Sequence, residues 1–205
     1  MRVSRRQKRR KPSPGTVAQV APSVTVVHGY QDAAVTFPIQ CTDLAKIRRF
    51  AVATSVLDIM REHLQHHGVQ GNEGALCWAG TVVGDAALVT TALLFCDAEH
   101  GGGIHVSSAH TGLLYAHCHA RGLTLLAQVH SHPFGAFHSP VDEQSPHSAE
   151  LGFLSIVVPN FGTCDYEHFT DWCVFEQVAY EAWREWDSEE KDQRLHLLHS
   201  AVGIP

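Results

Sequence analysis

The stretch Leu123–Val129 (Leu-Thr-Leu-Leu-Ala-Gln-Val) runs directly into His130-Ser131-His132-Pro133. A segment this continuously apolar suits a central strand buried on both faces. Such a strand needs neighbours in its sheet and cover above and below, so the chain must build a layered domain around it. Residues two apart on extended backbone point to the same face. The strand therefore presents both imidazoles together at its end, where Pro133 stops it.

The surrounding pattern supplies the other elements. Val52, Val56, Met60 and Leu64 recur at helical spacing and predict a helix over about 50–67, with Gly68 as its C′ residue. Glu73–Val83 and Ala86–Cys96 read as two strands joined at Gly84-Asp85. A second helix is expected over 107–121, between Ser107 or Ser108 as N-cap and Gly122 as stop. After a loop at 131–150, strands are expected at Phe153–Val158, Trp172–Val178 and Tyr180–Trp186, then an acidic helix or tail near Glu189–His199. The order of helix, strands, helix, strands gives a mixed α/β (α+β) domain, a central sheet flanked by helices. It is expected to span 51–200, after a disordered basic tail at 1–22 and an N-terminal extension at 23–50 with strand-like runs at Val24–His28 and Ala34–Ile39.

Composition narrows the function classes. The formal net charge is −6, from 15 Lys and Arg against 21 Asp and Glu. Seven of the basic residues lie within residues 1–11, which hold no acid, so the rest of the chain stands at −13. An acidic body argues against a nucleic-acid-binding surface, and a short basic run supplies only sequence-independent attraction. No apolar run is long enough to span a membrane and no apolar stretch follows the basic start as in a secretory signal, so a cytoplasmic protein is expected. The six cysteines are scattered without a CxxC and read as small buried hydrophobes.

Sixteen histidines invite a search for metal ligands. His66-His67 and His117-Cys118-His119 fall on predicted helices, where neighbours diverge by about 100° and i, i+2 pairs by about 200°; neither group can clasp one ion. His130 and His132 can. Asp142 follows ten residues after His132 and can supply an oxygen. Two His and one carboxylate leave the fourth tetrahedral position open, as a catalytic zinc site requires. Such chemistry also needs a general base, and Glu73, opening a predicted strand, is the candidate; an acid there could equally be a solvated strand end.

The combination His130-Ser131-His132-Pro133, then Ser139-Pro140-Val141-Asp142, with Glu73-Gly74-Ala75-Leu76-Cys77-Trp78-Ala79-Gly80 upstream, resembles the JAMM (MPN-plus) metalloproteases. The likeness is to their prokaryotic branch and covers about residues 50–190. It implies a JAMM/MPN, cytidine-deaminase-like fold and one Zn²⁺ per chain, held by His130, His132 and Asp142. It also implies Glu73 as acid–base and Ser139 as hydrogen-bond donor to the oxyanion. The chain departs from the family in one respect: only six residues (Pro133–His138) separate His132 from Ser139, one fewer than usual, which bears directly on where Ser139 falls. His138 is read as a neighbour of the site or a surface residue, not as a ligand.

The resemblance further implies an isopeptidase or peptidase acting after the C-terminus of a ubiquitin-like protein in a bacterial conjugation system. Its partners would be that protein or its conjugates, with the cognate activating and conjugating enzymes, and strand addition is the natural mode for binding an extended tail. The alternatives are a processing protease for a ThiS/MoaD-like sulfur carrier and a metal-free MPN scaffold. Scaffold relatives typically lack a ligand or the Glu, and all four residues are present here.

Overall fold

The computed structural model describes residues 23–27, 42–95, 99–100, 104–105, 108–144 and 147–199. In chain order the elements are β1 (Ser23–Val27), β2 (Arg49–Ala53), α1 (Thr54–Val69), β3 (Ala75–Val83), β4 (Ala86–Phe95), the two-residue strands β5 (Glu99–His100) and β6 (Ile104–His105), and α2 (Ser108–Ala120). Then follow β7 (Thr124–Ser131), α3 (Pro140–Gln144), β8 (Leu154–Val158), β9 (Cys173–Ala179), β10 (Ala182–Glu185), α4 (Ser188–Arg194) and β11 (Leu195–Leu198).

Nine strands form one mixed sheet in the order β10-β9-β8-β7-β3-β4-β2-β11, and β1 pairs in parallel with the part of β4 beyond β2. Its centre is the pair β3 and β7. All residues of β3 from Ala75 to Gly80 are buried, as are all of β7 from Leu125 to Ser131, so both strands are covered on both faces, as the apolar run requires. α1 contributes Val56, Leu57, Met60 and Leu64 to the core and α2 contributes Leu114 and Cys118. Trp78 of β3 and Trp172 before β9 are fully buried with ring centroids 6.3 Å apart. The fold is thus the expected mixed α/β sheet flanked by helices.

Several local expectations are corrected. Residues 49–53 are strand, not the start of α1: Phe50 and Val52 are buried while Arg49, Ala51 and Ala53 are not, a period of two that outweighs the coincidence of Val52 with the helical stripe. Gly68 does not stop α1. The amides of Gly71 and Asn72 donate to the carbonyls of Gly68 (2.9 Å) and His67 (3.1 Å), and Gly71 has φ +74°. This Schellman arrangement puts C′ at Gly71. Gly68 serves a different need, since a Cβ there would lie 2.3 Å from the Cβ of Phe161. The loop at 131–150 contains α3, and the expected acidic tail divides into α4 and the edge strand β11, parallel to β2. Of the expected N-terminal runs, the first is β1; residues 34–39, Cys41, Cys96 and the basic tail at 1–22 lie outside the described residues. Cys77, Cys118, Cys164 and Cys173 are free thiols, the first two buried and the others partly so. No helix among the described residues is long and apolar enough to cross a membrane.

Candidate metal centre

The centre forms where β7 ends. β7 extends through Ser131, so His130 lies within the strand, opposite Ala75 of β3, and His132 directly follows it. His132 is fixed through its backbone: its N–H donates to Val158 O (2.9 Å) and its carbonyl accepts from Phe161 N–H (2.8 Å). Phe161, with φ +53°, belongs to a 3-10 turn, Asn160–Gly162, at the end of β8. α1 packs against this turn through Gly68, so the helix, the turn and the ligand strand share one contact.

Asp142 comes back to the strand end on α3. Ser139 is the N-cap of this short helix and Pro140 its first residue, where a missing N–H costs nothing. The Ser139 amide donates to Asp142 Oδ2 at 2.7 Å and the Asp142 amide donates to Ser139 Oγ at 3.3 Å. This reciprocal pair is a capping box with Asp in the usual place of Glu. It directs the carboxylate at the histidines: His130 Nε2 lies 3.3 Å from Asp142 Oδ1, His132 Nε2 lies 3.6 Å from Oδ2, and the two Nε2 atoms are 3.2 Å apart. Burial opposes ionisation of Asp142, but hydrogen bonds from His130, His132 and Ser139 outweigh it and hold the carboxyl well below the usual carboxylate range.

These separations test the site for a metal. Ligand atoms about 2.0–2.1 Å from one tetrahedral ion stand roughly 3.3–3.4 Å from each other. The three edges fall close to that value, and His130, His132 and Asp142 are the one group of three or more potential ligands found among the described residues. The donor set, two imidazoles and a carboxylate, is the set that leaves zinc a fourth position open. The residues fit the ion that the sequence implied.

Glu73 is not part of this trio. It follows the Gly71-Asn72 turn and is half-buried. Just before β3, Ser131 N–H donates to Gly74 O and Gly74 N–H donates to Ser131 Oγ, both at 3.0 Å. β3 begins at Ala75, opposite His130, so Glu73 lies two residues before the strand it was expected to open. His63 of α1 supports the same strand end through its Nε2 and Ala75 O, 2.9 Å apart.

His138 does not ligate. Its Nε2 is 3.0 Å from Ser155 Oγ, its ring stacks on Phe175 at 4.2 Å and meets Trp183 edge-on at 5.3 Å. Burial is the main reason its pKa is pushed down to about 4. The histidines set aside on helical geometry form no metal group among the described residues. The capping role of Ser139 was legible in Ser-x-x-Asp with Pro at the next position, a helix-start signature as well as a family motif.

No model of a known protein family matches the chain. Among curated proteins it is similar to the probable metalloprotease y4jG of Sinorhizobium fredii (strain NBRC 101917 / NGR234), 35% identical over 123 residues that cover 58% of this chain and 75% of that protein. Among solved structures, protein DSY2949 from Desulfitobacterium hafniense has a similar fold, with a TM-score of 0.50 and 16% identity over 75% of this chain and 95% of that one. AF2198, a JAB1/MPN domain protein from Archaeoglobus fulgidus, aligns with a TM-score of 0.39 and 13% identity over 73% and 96% of the two chains.

Proposed function

Since the chain belongs to the JAMM/MPN-plus metalloprotease family and is a hydrolase, we propose that it is a zinc peptidase that cuts the peptide or isopeptide bond after the C-terminus of a ubiquitin-like protein. The observation that carries the reading is the convergence of His130, His132 and Asp142 at tetrahedral spacing beside a strand end. A Zn²⁺ held there would act as a Lewis acid and lower the pKa of water toward about 7.

The chain's own residues supply the rest. Glu73, two residues before β3, accepts a proton from the attacking water and returns it to the leaving amine. Ser139 Oγ accepts from the Asp142 amide, so its own proton is left to donate to the substrate's carbonyl oxygen as charge develops there. The capping box thus binds the oxyanion donor and the third ligand into one rigid turn. Phe137 meets the His132 ring edge-on at 4.5 Å and, like Phe134, is largely exposed; together they give the approach to the site an apolar rim suited to a polypeptide. The acidic body favours a protein substrate over nucleic acid.

The test is cleavage of ubiquitin-like fusions by the zinc-loaded chain, read by mass spectrometry, with linear C-terminal extensions and isopeptide-linked conjugates assayed in parallel. Scission immediately after the modifier's C-terminal residue, absent in Asp142→Ala, is expected. Cleavage confined to ThiS/MoaD-like carriers would move the substrate to the sulfur-transfer class, and no cleavage of either would reject the substrate assignment.

A further inference from the structure

We infer that His138 is a positioning residue whose clamp on the sheet fixes Ser139 and Asp142, and so sets the metal affinity of the site; the inference rests on the metal reading above. The argument starts from a row across the sheet. Gln128 of β7 is in register with Ser155 of β8, and Ser155 with Phe175 of β9. His138 lies on this row, stacked on Phe175 and bonded to Ser155. Two residues along the same strands is the row His130–Val157–Cys173, and there the Cys173 thiol donates to Ala136 O at 3.3 Å. The shortened connection from His132 to Ser139 is therefore pinned at 136 and 138, immediately before the helix that carries Asp142.

The clamp continues into a buried chain of side-chain contacts. Gln128 Oε1 accepts from His147 N–H at 2.9 Å, which turns Gln128 Nε2 toward Ser155 Oγ at 3.0 Å. Ser155 is fully buried and accepts that bond, and its hydroxyl has a further hydrogen-bonding site, which His138 Nε2 meets at 3.0 Å. The imidazole is held at one edge by the Ser155 hydroxyl and over its face by Phe175. A leucine-like side chain could fill the space but could not make the hydrogen bond to Ser155. One residue further, the backbone of Ser139 already closes the capping box with Asp142. Loss of the clamp would free the loop and with it the direction of the Asp142 carboxylate, in the way that outer partners of metal ligands act.

The experiment is zinc affinity by chelator competition, with the absorption spectrum of the Co²⁺-loaded chain, for wild type, His138→Ala, Ser155→Ala and the double variant. His138→Ala is expected to weaken zinc binding by about 10–100-fold and to weaken the intense visible bands of tetrahedral Co²⁺, while metal-free circular dichroism stays unchanged. Ser155→Ala should shift affinity in the same direction, and the double variant should be no worse than His138→Ala. A folded His138→Ala with wild-type affinity and spectrum overturns the inference. Where His138→Ala fails to fold, an unchanged affinity in Ser155→Ala overturns it, and a weakened one supports it. A wild-type chain that binds neither ion overturns the metal reading itself, and this inference with it.

Discussion

Ser139 and Asp142 cap one another: the Ser139 amide donates to the Asp142 carboxylate at 2.7 Å and the Asp142 amide donates to Ser139 Oγ at 3.3 Å. A proposed oxyanion donor and a proposed metal ligand are thereby parts of one turn. Ser139→Ala should lower kcat by about 10²–10³-fold, the effect of removing one such donor, and leave KM little changed. Because the cap is also lost, the same variant should bind zinc several-fold more weakly. Ser139→Thr retains a capping hydroxyl and should restore the affinity. Steady-state kinetics beside a metal titration checks both parts.

Glu73 tests the division of labour. In the proposed reaction it moves the protons, while the group of possible metal ligands is His130, His132 and Asp142. Glu73→Gln should keep wild-type zinc affinity and lose turnover by about 10²–10⁴-fold. Equal losses of metal and activity would place Glu73 among the ligands.

Gly68 connects the helix to the ligand strand. A Cβ at this position would stand 2.3 Å from the Phe161 Cβ, and Phe161 N–H holds the His132 carbonyl. Gly68→Ala should cost about 1–3 kcal/mol by overpacking, despite the better helix propensity of alanine, and should also weaken zinc binding. Thermal unfolding with and without zinc separates the two effects.

Away from the site, Glu176 secures the far end of the sheet. It is almost buried and accepts from Trp186 Nε1 (2.9 Å), Arg194 (3.0 Å) and Arg184 (2.6 Å). Burial opposes its charge, but Trp186 and the two guanidinium groups prevail and hold its pKa below the ordinary value. A depressed folded pKa contributes stability that is complete above about pH 4.3 and is lost as pH falls through the lower folded value. Glu176→Gln should cost about 3 kcal/mol at neutral pH, the low end for breaking a buried pair because Arg184 remains half exposed, and Tm should fall by roughly 6–12 °C. Below pH 4 the gap to wild type should narrow.

The centre of the domain was legible because its signals are local. The apolar run at 123–129 needed no partner to declare itself a buried strand, and period two placed His130 and His132 on one face. What was misread depended on tertiary contact. Val52 fits a helical stripe by number alone, yet Phe50 and Val52 pair with β4 and so obey strand alternation. Gly68 resembles a helix stop until Phe161 is seen to occupy the space a side chain would need. β11 follows an acidic helix with no turn signal and becomes a strand only because β2 offers an open edge. At the site, sequence spacing indicated the three residues that converge, whereas the clamp on His138 joins residues from three strands and a loop, and no spacing rule reports it.

The central claim is one tetrahedral metal site formed by His130, His132 and Asp142. Elemental analysis of the purified chain, alongside Asp142→Ala, tests it most directly. The account predicts about one zinc per chain in the wild type and little or none in the variant after identical dialysis. A wild-type chain that neither carries nor takes up zinc, or an Asp142→Ala chain that keeps it, would contradict the account.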